Sequence, residues 1–296
     1  TQLTAVELTR NQLSGPIPTS VGKLTKLEFF SAFENHLSGP IPVEFTTLPK
    51  LRNLTLGGNR LTGTIPSSIG NATTLTHLIL NSNQLTGEVP PSIWDLSKLQ
   101  WLYLYANDLT GSVSPKIGGM LDLYLLGIDS NRLAGPIPDV FHNLKKLYYF
   151  SATDNEFTGP VPASFGQATD LEILHLSENS FSGTIPVEIS TLPKLESFTV
   201  RANQISGTIP PQLGSLSRIQ YLGLGSNLLS GSLPPELGRL TTLAYLDADG
   251  NQLRGEVPAT FKALTNSGGI NLGDNALKAS DPTVLSFLES KGRFAA

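Results

Sequence analysis

The chain has 296 residues, with 24 acids against 20 bases, no cysteine, 28 glycines and 21 prolines. An apolar share of 39% supports a packed core and excludes wholesale disorder. The missing cysteines exclude disulfides, thiolate zinc sites and cysteine nucleophiles. A net charge of -4 gives no basis for nucleic-acid binding, and no apolar run is long enough to span a bilayer.

From the first residues onward the sequence is periodic. Asparagine recurs every 24 residues, at Asn11, Asn35, Asn59, Asn83, Asn107, Asn131, Asn155, Asn179, Asn203, Asn227, Asn251 and Asn275. Glycine follows four residues later from Gly15 to Gly255, and two residues after that comes Ile, Val or Leu and then proline, except at Ser114. Before each asparagine the spacing is L-x-x-L-x-L-x-x-N, as in Leu51, Leu54, Leu56 and Asn59.

Each unit then reads in order. The L-x-L alternation has period two, so Leu54 and Leu56 point inward while Asn53 and Thr55 point out, which predicts a short strand. The asparagine ends it, and its buried amide is expected to bond backbone groups of the turn and of the next coil. The L-S/T-G-x-I-P stretch predicts a second short strand on the flank, with glycine at the bend and proline ending the pairing. In the remainder, Ile69 and Ala72 stand three apart, which predicts a helical turn on the convex side. No unit can bury its apolar stripe alone, so the coils must stack. The last unit departs from the pattern at Ser267 and Ala279. After it, Ser280 or Asp281 caps a helix opened by Pro282, with Val284, Leu285 and Leu288 as its apolar face. The expected organisation is a solenoid of twelve units over 1–279 and a C-terminal helical cap and tail over 280–296.

The unit L-x-x-L-x-L-x-x-N-x-L-S/T-G-x-I-P resembles that of the leucine-rich repeat family, plant-specific 24-residue subtype, over about residues 3 to 277. Receptor-kinase ectodomains and polygalacturonase-inhibiting proteins carry this unit. The resemblance implies an α/β solenoid: a right-handed superhelix with a parallel concave β-sheet, short flank strands and convex 3-10 or helical turns. It also implies an extracellular or cell-surface protein that binds a protein or peptide ligand. Members of the plant group cap both ends with disulfides. A cysteine-free chain departs from that pattern, which favours a bacterial or algal relative, and the sequence enters directly in a repeat, so a natural N-terminal cap is expected to be missing or trimmed from it.

The chemistry of catalysis is missing from the pattern. His36, His77, His142 and His175 form no metal-binding spacing, and no phosphate-binding loop or nucleophile elbow occurs. Asp247, Asp249 and Asn251 spell D-x-D-x-N, but Gln252 and Pro258 stand where a calcium loop needs glycine and glutamate. No enzyme, metal or cofactor is expected. Asn53-Leu54-Thr55 and Asn71-Ala72-Thr73 are glycosylation sequons.

Function must then come from outward positions that the repeat leaves open. The strands place His77, Ile79, Trp101, Tyr103, Tyr105, Leu125, Tyr149, Ile173 and His175 on the outer face. Asp129, Asp154 and Glu178 supply an acidic rim. Aromatics with a polar edge have the composition of a binding hot spot. Tyr221, Tyr245, Asp247, Asp249 and Arg201 form a second candidate cluster. The sequence therefore points to a recognition scaffold for a protein or peptide. The alternatives are a polysaccharide ligand on the exposed aromatics, ice binding on the flank, and a structural or adhesive surface role. The flank column argues against ice, because Pro16, Pro40, Glu88 and Glu256 break any threonine ladder.

Overall fold

The computed structural model describes residues 2–292; the end of the expected tail, 293–296, lies outside the described residues. The chain divides into two compact units, Thr1–Pro138 and Asp139–Ala296. The 24-residue repeat runs through both, and each unit is a stack of parallel coils of the α/β solenoid class.

In the first unit the inward-facing leucines set six three-residue strands: Ala5–Glu7, Phe29–Ser31, Asn53–Thr55, His77–Ile79, Trp101–Tyr103 and Leu125–Gly127. In the second they set Tyr149–Ser151, Ile173–His175, Ser197–Thr199, Tyr221–Gly223, Tyr245–Asp247 and Gly269–Asn271. Pairing is parallel and unstaggered, so equivalent residues of successive repeats are neighbours: Asn53 pairs with His77, His77 with Trp101, and Tyr221 with Tyr245. The middle residue of each strand points into the core, as Leu78, Leu102, Leu174 and Leu222 do. The flank strands form where L-S/T-G-x-I-P predicts them, for example Gln84–Glu88 and Gln252–Glu256. Their glycines hold φ between about +74° and +95°, a region that other residues enter at a cost.

The convex side is a series of 3-10 turns, most of them five residues long, as at Ser67–Asn71. Proline opens most of them by ending the preceding extended segment. Where Ser114 replaces it, the serine hydroxyl accepts from Lys116 N at 3.3 Å and caps the turn Pro115–Gly119 instead. Phenylalanines fill the wider core positions of the second unit. Phe141 stacks on Phe165 at 4.0 Å, and Phe150 meets Phe165 edge-on at 4.9 Å.

Between each strand and flank the chain reverses through a left-handed residue just before the repeat asparagine, such as Ser82, Asp154 or Glu178. This turn aims the asparagine inward. Asn227 Nδ2 donates to the carbonyls of Val200, Leu224 and Gly225, and its Oδ1 accepts from Ile205 N at 2.9 Å. The same set recurs at Asn35, Asn59, Asn83 and Asn107. The amide therefore reaches the preceding coil, and not the next one as the sequence reading had it. The left-handed turn tips the side chain back under the strand it has just left.

The helix Pro282–Glu289 closes the second unit, with Asp281 as its N-cap accepting from Thr283 N. Val284 and Leu288 are buried and Leu285 is half-buried. The chain then returns along the last strand: Ile270 N donates to Lys291 O, and Lys291 Nζ donates to the carbonyls of Thr265 and Ser267. This covers an edge that would otherwise present free backbone groups.

The asparagine geometry sets a stability test. Asn227→Ala takes the amide partner from Ile205 N and from the carbonyls of Val200 and Leu224 inside the core, while Gly225 O keeps Ala202 N. It should cost on the order of 3 kcal/mol in urea unfolding. Asn11→Ala, whose amide is exposed and among the described residues bonds Leu8 O and Thr9 O of its own turn, should cost under about 1 kcal/mol. Equal costs would remove the cross-coil amide as the source of stability.

Candidate functional site

On the first unit the predicted residues fall into two aromatic pairs. In-register strands bring His77 against Trp101, with ring centroids 4.8 Å apart and tilted 55°. Tyr103 and Tyr105 follow on the next outward positions and meet edge-on at 5.6 Å. Gly127 makes room for Tyr103, because a Cβ there would come within 2.8 Å of the ring. Ile79 is half-buried beside them and pairs with Tyr103. Leu125, proposed as a contact residue, is buried at 9% exposure. Its place next to Trp101 in the sheet makes it packing rather than available surface. Burial, with the charge of Asp129 adding to it, raises the Tyr105 phenol above its ordinary range. Burial also lowers the His77 imidazole below its ordinary 6.5, while Thr76 Oγ1 lies 2.9 Å from its Nδ1.

On the second unit the sheet face is hollowed into an open cavity of about 440 Å³. Its walls include His175, Ser197, Thr199, Tyr221 and Gly223, with Thr153, Ser177, Glu178, Arg201 and Asp247 completing them. The hollow exists because consecutive outward positions carry small residues, Ser197, Thr199 and Gly223, between larger ones. His175 Nε2 and Ser197 Oγ are 2.8 Å apart, and Tyr149 meets His175 edge-on at 6.4 Å. Ile173 is half-buried next to Tyr149 in the sheet. Tyr221 and Tyr245 stack at 5.2 Å and 17°. Asp154 and Glu178 stand exposed on the left-handed turns. The cavity thus gathers five residues that the sequence marks: His175, Glu178 of the acidic rim, and Arg201, Tyr221 and Asp247 of the second cluster. It adds Thr153, Ser177, Ser197, Thr199 and Gly223, which no composition argument marked: their contribution is small size, legible only once the register is known.

Arg201 crosses the glycine gap beside the cavity. Its guanidinium donates to Asp247 Oδ2 and to Asp249 Oδ1, each at 2.5 Å. Gly225 lies directly underneath, and a Cβ there would overlap Asp249 Oδ1 and the Arg201 guanidinium. Asp247 also accepts from Asn271 Nδ2 at 3.0 Å. Burial raises the Asp247 carboxyl, against the pull of Arg201. For Asp249 burial acts in the same direction, but the hydrogen bond and charge of Arg201 outweigh it and hold the carboxyl below the usual range. One guanidinium serves two carboxylates, so Asp247 is the one that takes up a proton first as pH falls. The D-x-D-x-N acids are thereby engaged with arginine. Among the described residues no group of three or more His, Asp or Glu converges as a metal site, and no helix is long and apolar enough to cross a membrane.

Two measurements follow from this geometry. Arg201→Ala should destabilise the protein at pH 7 by about 2 kcal/mol, less than for a fully buried pair because the guanidinium is half exposed. Adding Asp247→Asn should recover part of that loss; an unchanged unfolding midpoint in Arg201→Ala would show that the bridge contributes nothing. For His77, an NMR titration should find a midpoint below 6.5. The unfolded chain then binds more protons between the lowered value and 6.5, so the contribution of His77 to stability is complete above 6.5 and falls away with decreasing pH. A midpoint at or above 6.5 contradicts the burial argument.

Comparison with known proteins agrees with this architecture. Family models described as leucine rich repeat match residues 49–109, 170–192 and 218–240. No curated protein sequence matches the chain. Among solved structures, a TDR receptor superposes with a TM-score of 0.92 at 30% identity, over 97% of this chain and 50% of that one. The plant peptide hormone receptor RGFR1, in complex with RGF2, gives 0.87 at 31% identity, over 98% and 50%. A plant ice-binding protein gives 0.67 at 26% identity, over 93% and 84%. The chain therefore spans about half the length of the two receptors. With the 24-residue period, an asparagine ladder within each unit and these matches, the chain carries the repeats and the fold of the leucine-rich repeat family.

Proposed function

We propose that the protein is a non-enzymatic recognition scaffold that binds a peptide on the exposed face of its β-sheet, with the second-unit cavity as the principal contact. The observation that carries this reading is the cavity itself. About 440 Å³ open on a rigid sheet, lined by side chains that the repeat does not dictate, is space that the fold does not need. The face is built from hydrogen-bonded coils, so little ordering entropy opposes binding. An extended peptide suits it because successive strands offer a fresh set of outward residues about every 4.8 Å. The similarity to RGFR1, described in complex with RGF2, supports a peptide as the ligand class. The His77–Trp101 and Tyr103–Tyr105 pairs offer a second apolar contact surface on the first unit. The receptor matches also support an extracellular or cell-surface setting.

No specific observation favours a polysaccharide. The ice-binding neighbour shares the fold, but the flank column of this chain carries proline at 16, 40, 136 and 160 and glutamate at 88 and 256, which gives no regular water-ordering face.

The test is selection of a random heptapeptide display library on the folded protein, with Thr199→Phe as the counter-screen. Phenylalanine at 199 fills the cavity and leaves the ladder intact. Peptides enriched on the wild type should lose at least tenfold in affinity for the variant. A folded wild type that enriches no peptide, or peptides that bind the variant equally, would overturn the proposal.

A further inference from the structure

The charge of the chain is unevenly placed. The first unit has nine acids and nine bases, whereas the second has fifteen acids and eleven bases. The whole excess of negative charge therefore lies on the unit that holds the cavity. Within the cavity wall the same imbalance recurs. Arg201 is the positively charged side chain there, and its guanidinium is already bonded to Asp247 and Asp249. Two carboxylates against one guanidinium leave a residual negative charge. An anionic ligand group would have to displace the nearly buried Asp247 to reach the arginine.

Glu178 adds a further carboxylate. It forms no ion pair among the described residues and is exposed at the cavity wall. Its backbone is fixed: Glu178 N donates to Arg201 O at 2.8 Å, and Asn179, the next residue, is tied into the ladder. Tyr221 completes the arrangement. One face of its ring lies on Tyr245, and the ring also borders the cavity at 40% exposure. An aromatic face beside carboxylates is suited to a cation with an aliphatic stem, because the stem packs on the ring and the charge is matched at the wall.

We propose, building on the peptide reading above, that the second-unit cavity is a subsite selecting a lysine or arginine side chain of the ligand, with Glu178 as its direct counter-ion and Tyr221 as its aromatic wall. The excess carboxylate of the Arg201–Asp247–Asp249 bridge supplies the background field. Long-range attraction of basic ligands to the acidic unit adds to the rate of encounter and weakens with salt.

The test uses heptapeptide mixtures that fix the central residue as arginine, citrulline or glutamate and randomise the rest. They are prepared both acetylated and with a free amino terminus, and binding is read by NMR titration of the full chain. Citrulline keeps the shape of arginine and removes its charge. The arginine mixture should bind at least tenfold more tightly than the citrulline mixture, and glutamate more weakly still. Glu178→Gln should reduce the arginine advantage several-fold and leave citrulline binding unchanged. Equal binding of arginine and citrulline would overturn the cation subsite while leaving the peptide reading intact. A gain that follows only the free amino terminus would overturn the side-chain assignment. Mixtures that perturb no cavity resonance would overturn both.

Discussion

Each coil of this protein turns away from its strand through backbone that neither strand nor 3-10 turn can satisfy, and a single carboxamide per repeat fills that need. Asn227 shows the arrangement in full, with two N–H groups shared among three carbonyls and one oxygen accepting from the coil before it. An aspartate could not donate, and a longer glutamine would not fit beneath the strand at the same distances. Because the amide joins neighbouring coils as well as closing its own turn, it fixes the stacking step and holds successive repeats within each unit in register. The unstaggered columns on the sheet face depend on that register. So does the cavity, whose small residues must fall beside one another to leave any space.

The repeat was legible in the sequence because it is enforced at many positions at once. Leucine spacing, asparagine, flank glycine and proline each answer to a local rule of backbone geometry or burial, and they agree. The strands, the flank segments, the convex turns and a helix cap at Ser280 or Asp281 followed from those rules, and Asp281 is the residue that caps. The direction of the asparagine bond did not, since both neighbours offer similar carbonyls and only the left-handed turn decides between them.

The candidate site was legible only in part. Large aromatics announce themselves, so Trp101, Tyr103 and Tyr221 were found by composition. What shapes the second-unit cavity is the absence of bulk at Ser197, Thr199 and Gly223, and small residues are too common in such a chain to stand out. Leu125 shows the opposite error: an outward strand position does not secure exposure when a large neighbour covers it. Arg201 falls in one sequence cluster with Asp247 and Asp249, but the bridge itself was hidden, because the arginine spans 46 and 48 residues and meets both acids only through the empty space above Gly225.

That bridge has a thermodynamic consequence for unfolding. In an ideal solenoid each repeat interacts only with its nearest neighbours, so stability behaves as a one-dimensional chain of interface energies and the ends can fray one repeat at a time. Arg201 belongs to the repeat of Asn203 and its acids to that of Asn251, with the repeat of Asn227 between them. The contact is therefore a next-nearest-neighbour term. The intervening repeat cannot open without breaking a bond that it does not itself make, which binds three repeats into one cooperative block. Amide exchange across residues 197 to 251 should thus share a common opening free energy, a local departure from repeat-by-repeat behaviour at the place where the cavity needs its walls held still.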